Sequence, residues 1–557
     1  MKVGWALVAV GVMAVEGCTA WDEDAADLVF RGGSVWTGDP AAPSATGVAV
    51  KDGRIVAVGT DADVEGLVAN GTRVVELAGR LLIPGFIDAH THFLDGGFKL
   101  AGVGLRDAGT PEEFARRIGE FAKTVPPGTW ITGGDWDHEL WGGELPRKEW
   151  VDSLTPEHPV FVNRLDGHMA LANSLALRLA GVDTGGRMPD PEGGTIVRDA
   201  RTGEPAGVFK DEAMGLVGHA IPDPSEADLD RALQAAARHA LERGVTQIHD
   251  MAGWQNLKTY RRAHAKGELP LRVYSVVQIG TWERLRDFVA AHGRGDDRLW
   301  WGGLKAFVDG SLGSTTAWFH EPYQDEPGTS GLMVSDSAEL RSLIEAGDAA
   351  GFQIIVHAIG DAANDWLLGV YGDVAAAHGP RDRRFRIEHA QHLSPEAIPR
   401  FAELGVIASM QPYHAADDGR WAEKRIGPER IKTTYAFRSL LDAGATLAFG
   451  SDWTVAPIDP ILGLDAAVTR RTIDGANPEG WMPEQKITVE ETLRAYTEGG
   501  ARAGFMEDRL GRIAAGMLAD LVVLDRDVTR VDPKTLGQTR VDMTVVEGRV
   551  AYERPTG

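Results

Sequence analysis

The segment IPGFIDAHTHF, residues 83–93, sets two histidines two positions apart behind an apolar run. On an extended strand, side chains at i and i+2 share a face, so Asp88, His90 and His92 project together. Imidazoles beside a carboxylate are the borderline-soft and hard donors that zinc-like divalent ions take. A bare His-x-His arises often by chance, so its reading as a metal site depends on partners elsewhere. Three are available: IIVHAIGD carries His357, FRIEHAQH carries His389 and FGSDW carries Asp452, each at the end of an apolar, strand-like run. Taken singly, His357 or His389 reads as a core histidine and Asp452 as the cap of a following helix. Several ligand types at successive strand ends form a pattern.

The elements that must position these residues alternate. SEADLDRALQAAARHALERG runs into VTQIHDM, SAELRSLIEAGDAAG into FQIIVHAIGD, SPEAIPRFAELG into VIASMQP, and YAFRSLLDAGA into TLAFGSDW. Each amphipathic helix ends near a glycine (Gly244, Gly351, Gly405, Gly444), a residue that suits the left-handed cap past a helix end. Helix–strand repetition argues for parallel strands with crossover helices, hence an α/β barrel or an open sheet. His249, Asp250, His357, Glu388, His389 and Asp452 gather where the strands end, which in a (β/α)8 barrel is the active-site face.

Both ends of the chain read differently. From Leu28 to Leu82, short β-branched runs are separated by Gly-Gly, Asp-Gly and Asn-Gly turns; LADLVVLDRD and VDMTVVEGRVAYER repeat the pattern near the C-terminus, with Glu547-Gly548 as a hairpin signal. These ends predict one small β-sandwich built from residues 24–82 and 506–557 around a barrel over 83–505. Between about 111 and 221 the repetition breaks into Gly-, Pro-, Trp- and Asp-rich stretches, which reads as an insertion over the barrel mouth, either a functional lid or an ornamental loop.

Composition narrows the partners. With 57 Lys+Arg against 81 Asp+Glu the formal net charge is -24, a surface that repels phosphate backbones, and no basic cluster compensates, so nucleic acid is excluded as a partner. The first eighteen residues, MKVGWALVAVGVMAVEGC, place Lys2 before an apolar run from Val3 to Val15, too short to span a bilayer but suited to the core of an export signal. Cys18, the single cysteine, stands just behind that run and resembles the lipid-attachment cysteine of bacterial lipoproteins, although Glu16 departs from the small uncharged residues of that pattern. The expectation is an exported protein whose membrane contact is a lipid anchor at Cys18, on the periplasmic side of the bacterial cell envelope and at the outer membrane of a Gram-negative cell. Whether copies of the chain associate is left open.

Taken together, IPGFIDAHTHF, RLDGHMALANSLAL (164–177), LKAFVDGSLGSTTA (304–317), IIVHAIGDAAND, RIEHAQH and LAFGSDWTVAP resemble the amidohydrolase superfamily, specifically its YtcJ-like branch of metal-dependent hydrolases, in family order from about Asp27 to near the C-terminus. The resemblance implies a (β/α)8 barrel, a β-sandwich from both termini, and one or two divalent ions, Zn2+ foremost, at the barrel mouth. Carried over position by position, the ligands would be His90, His92, Lys305, His357, His389 and Asp452. An ammonium offers no lone pair, so Lys305 would serve as a carbamate formed with carbon dioxide; the alternative is a Lys305–Asp309 ion pair beside a single ion.

The implied reaction is attack by metal-activated hydroxide on a small-molecule amide of N-acyl or N-formyl type, with Asp452 as proton shuttle and the C–N bond cleaved. Heterocycle deamination on the same site is the alternative, and an inactive envelope binding lipoprotein the remaining one. For the substrate, Arg164 and His168 could hold a carbonyl or carboxylate, Asp135 and Trp136 could line the pocket, and Trp318 and Trp453 adjoin the family motifs.

Overall fold

The computed structural model describes residues 25–555 apart from 165–168, 184, 186–187, 192–193, 252 and 314, so the expectations placed on Cys18 and His168 lie outside the described residues. Eight parallel strands form the central sheet: β1 (Phe86–Thr91), β2 (Val245–Asp250), β3 (Arg272–Gln278), β4 (Leu299–Phe307), β5 (Gln353–Ala358), β6 (Arg386–His389), β7 (Ile407–Met410) and β8 (Thr446–Phe449). They pair in chain order, each with the next.

Beyond β8 the chain returns to β1 and completes the ring: Thr91 bridges Trp453 in parallel, the Asp452 N–H donates to His90 O (2.8 Å) and the His92 N–H to Trp453 O (2.7 Å). Gly450 makes this seam feasible, since a Cβ there would lie 2.6 Å from the His90 nitrogen and 2.8 Å from Asp88 Oδ1. The protein is therefore a (β/α)8 barrel.

The strands read as nearly continuous apolar runs because both of their faces are covered. Val245, Ile248, Val273, Leu304, Ile354, Val356 and Ile387 share one buried cluster with Leu233, Ala237, Leu257, Ile344, Leu367 and Phe401 of the surrounding helices. Helix Glu226–Leu241 starts at a capping box in which Ser225 and Asp228 satisfy each other's backbone donors. Gly244, Gly351, Gly405 and Gly444 all adopt the positive φ expected of them, from 64° to 85°, as the chain turns into β2, β5, β7 and β8.

The chain ends meet beside the barrel. A four-stranded sheet (Leu28–Arg31, Gly47–Lys51, Arg54–Gly59, Arg73–Glu76) faces a six-stranded one in which Leu81–Pro84 pairs antiparallel with Leu521–Leu524. Leu28, Phe30, Val48 and Val50 share a buried cluster with Leu82, Leu521, Val523 and Met543. Strands Val541–Val546 and Arg549–Glu553 are joined by Glu547 and Gly548, both at positive φ (52° and 72°), the turn that matches strand twist. This unit is fastened to the barrel by Arg272 of β3, wholly buried, whose Nε and Nη2 donate to Asp520 at 2.8 and 2.9 Å.

The irregular composition of 111–221 conceals a folded unit rather than loops. Ile131–Trp136, Val160–Arg164, Met169–Ala172, Gly194–Arg198 and Pro205–Asp211 form a five-stranded sheet. One face buries Phe114, Ile118, Val162, Leu171 and Val208, the other Phe161, Ala170, Ile196 and Phe209. Short strands broken by turn residues masked the alternation in the sequence. Among the described residues, no helix is long and apolar enough to cross a membrane.

Candidate metal centre

The ends of β1, β4, β5 and β6 and the segment after β8 bring together the residues singled out by spacing and, with Lys305, by the family resemblance. Asp452 Oδ1 lies 3.5 Å from His90 Nε2 and 3.4 Å from His92 Nε2, and Lys305 Nζ lies 3.5 Å from the same His90 nitrogen. The ring of His389 is 5.1 Å from that of His90 and 4.5 Å from that of His357. All except His92 and His357 are nearly or wholly buried, and those two are half-buried. His389 and Asp452 both adopt positive φ, 74° and 55°. Non-glycine residues held there cost about 1–3 kcal/mol each and cluster at functional sites, where the surrounding structure enforces them.

Two of the donors, His90 and His389, are aimed by a neighbour. Glu388 Oε2 stands 2.6 Å from His90 Nδ1, and Gln411 Oε1 stands 2.8 Å from His389 Nδ1. An acceptor on Nδ1 holds the proton there and leaves the Nε2 lone pair for an ion. Glu388 is gripped in turn by Arg386, whose Nε is 2.9 Å from Glu388 Oε1 and whose other nitrogens donate to Ala89 O (2.6 Å), Ser409 Oγ (3.0 Å) and His249 Nδ1 (2.9 Å). Asp88 accepts from the backbone N–H of His90 (3.2 Å) and Ser451 (2.9 Å), so it stitches the seam and does not face the centre as a ligand.

His357 is the exception. Its Nε2 is 3.0 Å from Gly310 O and 3.6 Å from Asp309 Oδ1, so only Nδ1 is left for an ion. Asp309 accepts from the backbone N–H of Trp318, Ile359 and Gly360, and no Lys305–Asp309 pair forms among the described residues.

Electrostatics agrees with this arrangement. Burial, then the Lys305 charge, pulls His90 down to about 4 and His357 to about 3; burial and His357 hold His389 well below its usual range. These imidazoles are neutral at neutral pH, the form that ligates metal. Burial opposes charge on Asp452, but His90 and His92 overcome it and keep the carboxyl well below the ordinary range. Burial also opposes charge on His92, yet its bond to Asp452 leaves it raised. Lys305 is lowered to about 8, by burial above all. The neutral imidazoles of His90, His357 and His389, with His92 against the buried Asp452 carboxylate, are a donor set that fits a divalent cation of the zinc class.

Spacing missed three residues. Arg386 sits two before Glu388, and the strand period of two was a legible sign that both face inward. Gln411 and His414 follow β7 in MQPYH, where no second histidine marks the pattern. Yet donor atoms of His389, His414 and Asp452 lie within 4.8 Å of one another, as do those of His90, His92 and Asp452.

The residues expected to meet substrate are dispersed. Arg164, at the end of its strand in the insertion, is 3.3 Å from both Asp137 Oδ1 and His138 Nδ1. Asp135 pairs with Lys99, which also donates to Thr454 O (3.3 Å) beside Asp452, so the insertion is tied to the rim of the mouth. Two tryptophans correct the expectation. Trp136 is wholly buried in the insertion, its indole N–H donating to Val162 O at 2.8 Å, and it presents no surface to a ligand. Trp453 is wedged behind the mouth, stacked on His239 (5.5 Å) and edge-on to Phe93 (5.8 Å). Trp318 is half-buried, with its backbone N–H on Asp309.

Comparison with known proteins agrees with the fold. The chain is 42% identical over 512 residues to "Protein LONG AFTER FAR-RED 3" of Arabidopsis thaliana, covering 90% of this chain and 87% of that one. It is 33% identical to the putative amidohydrolase YtcJ of Bacillus subtilis (94% and 99% covered) and 30% identical to the N-substituted formamide deformylase of Arthrobacter pascens (95% and 98%). A metal-dependent hydrolase of Pyrococcus horikoshii superposes with a TM-score of 0.76 at 27% identity, over 91% of this chain and 99% of that one. The amidohydrolase family model matches residues 73–552. With barrel, motifs and relatives in agreement, the chain belongs to the amidohydrolase family, in its YtcJ-like branch.

Proposed function

We propose that the chain hydrolyses the C–N bond of a small non-peptide amide, of N-acyl or N-formyl type, at the mouth of the barrel. The observation that carries this reading is the Asp452 carboxylate, buried and ionised, within 3.5 Å of the Nε2 atoms of His90 and His92. One or two divalent ions of the zinc class, held by His90, His92, His357, His389, Asp452 and a modified Lys305, would lower the pKa of a water molecule to around 7 and polarise a carbonyl. Asp452 accepts the water's proton and returns it to the departing nitrogen, because an amide nitrogen leaves only when protonated. Resemblance to the formamide deformylase over nearly the whole chain supports an N-formyl or N-acyl substrate. On this reading Arg164, in the insertion, would meet a carbonyl or carboxylate on the substrate.

Lys305 fits the carbamate. Its amine is buried against the centre and lowered to about 8, so a sizeable neutral fraction is available near neutral pH to add carbon dioxide and shed a proton. The product is an anion with two oxygens in place of a repelled cation. Lys305→Ala is expected to lose metal and activity together, with Lys305→Glu retaining part of both; an active Lys305→Ala enzyme sinks the carbamate.

The functional test compares wild type with Asp452→Asn on N-formyl, N-acyl and cyclic amides and on purines and pterins, reading amine, acid and ammonia separately. Wild type should release amine and acid, and the variant should fall about 10²–10⁴-fold in kcat, the span of general acid–base catalysis. Ammonia release from purines or pterins without amide cleavage makes the chain a deaminase instead, and near-full activity in Asp452→Asn refutes the shuttle.

A further inference from the structure

His414 belongs to no ligand set that the sequence motifs supply, yet it stands in the centre. It lies on helix Pro412–Asp418, which begins two residues beyond β7 with Pro412 in its first turn. Its ring is parallel to that of His389, 10° apart in plane with centroids at 6.4 Å. The donor atoms of His389, His414 and Asp452 lie within 4.8 Å of one another. His414 Nε2 is buried and has no hydrogen-bond partner among the described residues. A buried ring nitrogen without a partner is rare in folded proteins, and a cation is one of the few groups that satisfies a lone pair there.

The same short segment prepares its neighbour. Gln411 Oε1 occupies His389 Nδ1 at 2.8 Å and so leaves His389 Nε2 free to ligate. His357, which the motifs would pair with His389, has its Nε2 committed to Gly310 O at 3.0 Å. Two imidazoles and a carboxylate make three protein donors with a fourth position open, the composition of a catalytic zinc-type site.

We infer that His414 is a metal ligand, and that with His389 and Asp452 it forms a second three-donor set sharing Asp452 with the set of His90 and His92. This rests on the metal-dependent reading above and adds a position the family motifs do not mark. On this account Asp452 lies between two cations, and the short helix after β7 is part of the metal site rather than its wall.

The test is titration of Co2+ or Zn2+ into metal-stripped full-length protein, following the number of ions bound and their affinities, with Co2+ absorption as the spectroscopic readout. His414→Ala and the ring-keeping but non-ligating His414→Phe are compared with wild type, and their metal-free melting curves establish that both fold. Wild type should take up two ions per chain. Both variants should lose the second or bind it at least about tenfold more weakly, since loss of even an outer partner of a ligand weakens binding by about 10–100-fold. Uptake in either folded variant equal to wild type in number and affinity overturns the inference, while leaving the remaining ligands intact. A wild type that takes up no divalent ion overturns the metal-dependent reading itself.

Discussion

At the scale of single residues, the centre depends on groups that never touch an ion. Glu388 is wholly buried between Arg386 and His90, and it holds one end of the His90 ring. Burial works against its charge, but Arg386 and His90 keep its carboxyl well below the ordinary range. A carboxyl whose folded pKa is lowered contributes stability that is fully present above its unfolded pKa and lost as pH falls toward the folded one. Glu388→Gln should therefore be less stable than wild type at pH 7, by about 3–5 kcal/mol, because Arg386 is left as an uncompensated buried charge. The deficit should shrink as pH falls below about 4, where an unfolded glutamate is protonated. Denaturant unfolding at pH 7 and pH 3.5 measures both values, and equal deficits at the two pH values contradict the assignment. Metal affinity in the same variant should drop about 10–100-fold as the His90 ring loses its anchor.

At the scale of elements, the active-site end of the barrel relies on one close approach. Between β8 and Asp452 the chain passes so near β1 that only a glycine fits at position 450, since a Cβ there would lie 2.6 Å from the His90 nitrogen. Gly450→Ala must push apart the strand that carries His90 and His92 and the segment that carries Asp452. Forced overpacking of this kind costs about 1–3 kcal/mol, and here its larger effect should be on metal uptake. Equilibrium dialysis against Zn2+ should show weakened binding in a protein that still folds; unchanged uptake means the seam does not set the donor geometry.

Legibility in the sequence follows the same physics. His90, His92, His389 and Asp452 could be read because strand ends of a barrel carry function and apolar runs mark the strands. Arg386 was within reach of the period of two. His414 was not, because it lies on a short helix past its strand, where only the three-dimensional return of the loop aims it inward. Trp136 and Trp453 misled because a tryptophan beside a motif is as well used in packing as in a pocket, and sequence proximity does not say which face the ring presents.

For the molecule as a whole, three units share the work. The barrel supplies the donors, and the β-sandwich from both chain ends is fastened to it through the buried Arg272–Asp520 pair and the Thr544 hydroxyl on Leu241 O (2.7 Å). The insertion, a five-stranded sheet with its own apolar packing on each face, reaches the mouth through Asp135, Lys99 and Thr454. Its composition, rich in Gly, Pro and Asp, hid those strands, whereas the terminal sandwich was plain in its Asp-Gly and Glu-Gly turns. The central claim, that this assembly exists to cleave C–N bonds with a divalent ion at the barrel mouth, is tested most directly by assaying N-substituted formamide hydrolysis before metal stripping, after it, and after divalent metal is restored. Activity should vanish on stripping and return with Zn2+ or a close substitute. Hydrolysis that persists unchanged in fully metal-free protein would contradict the account.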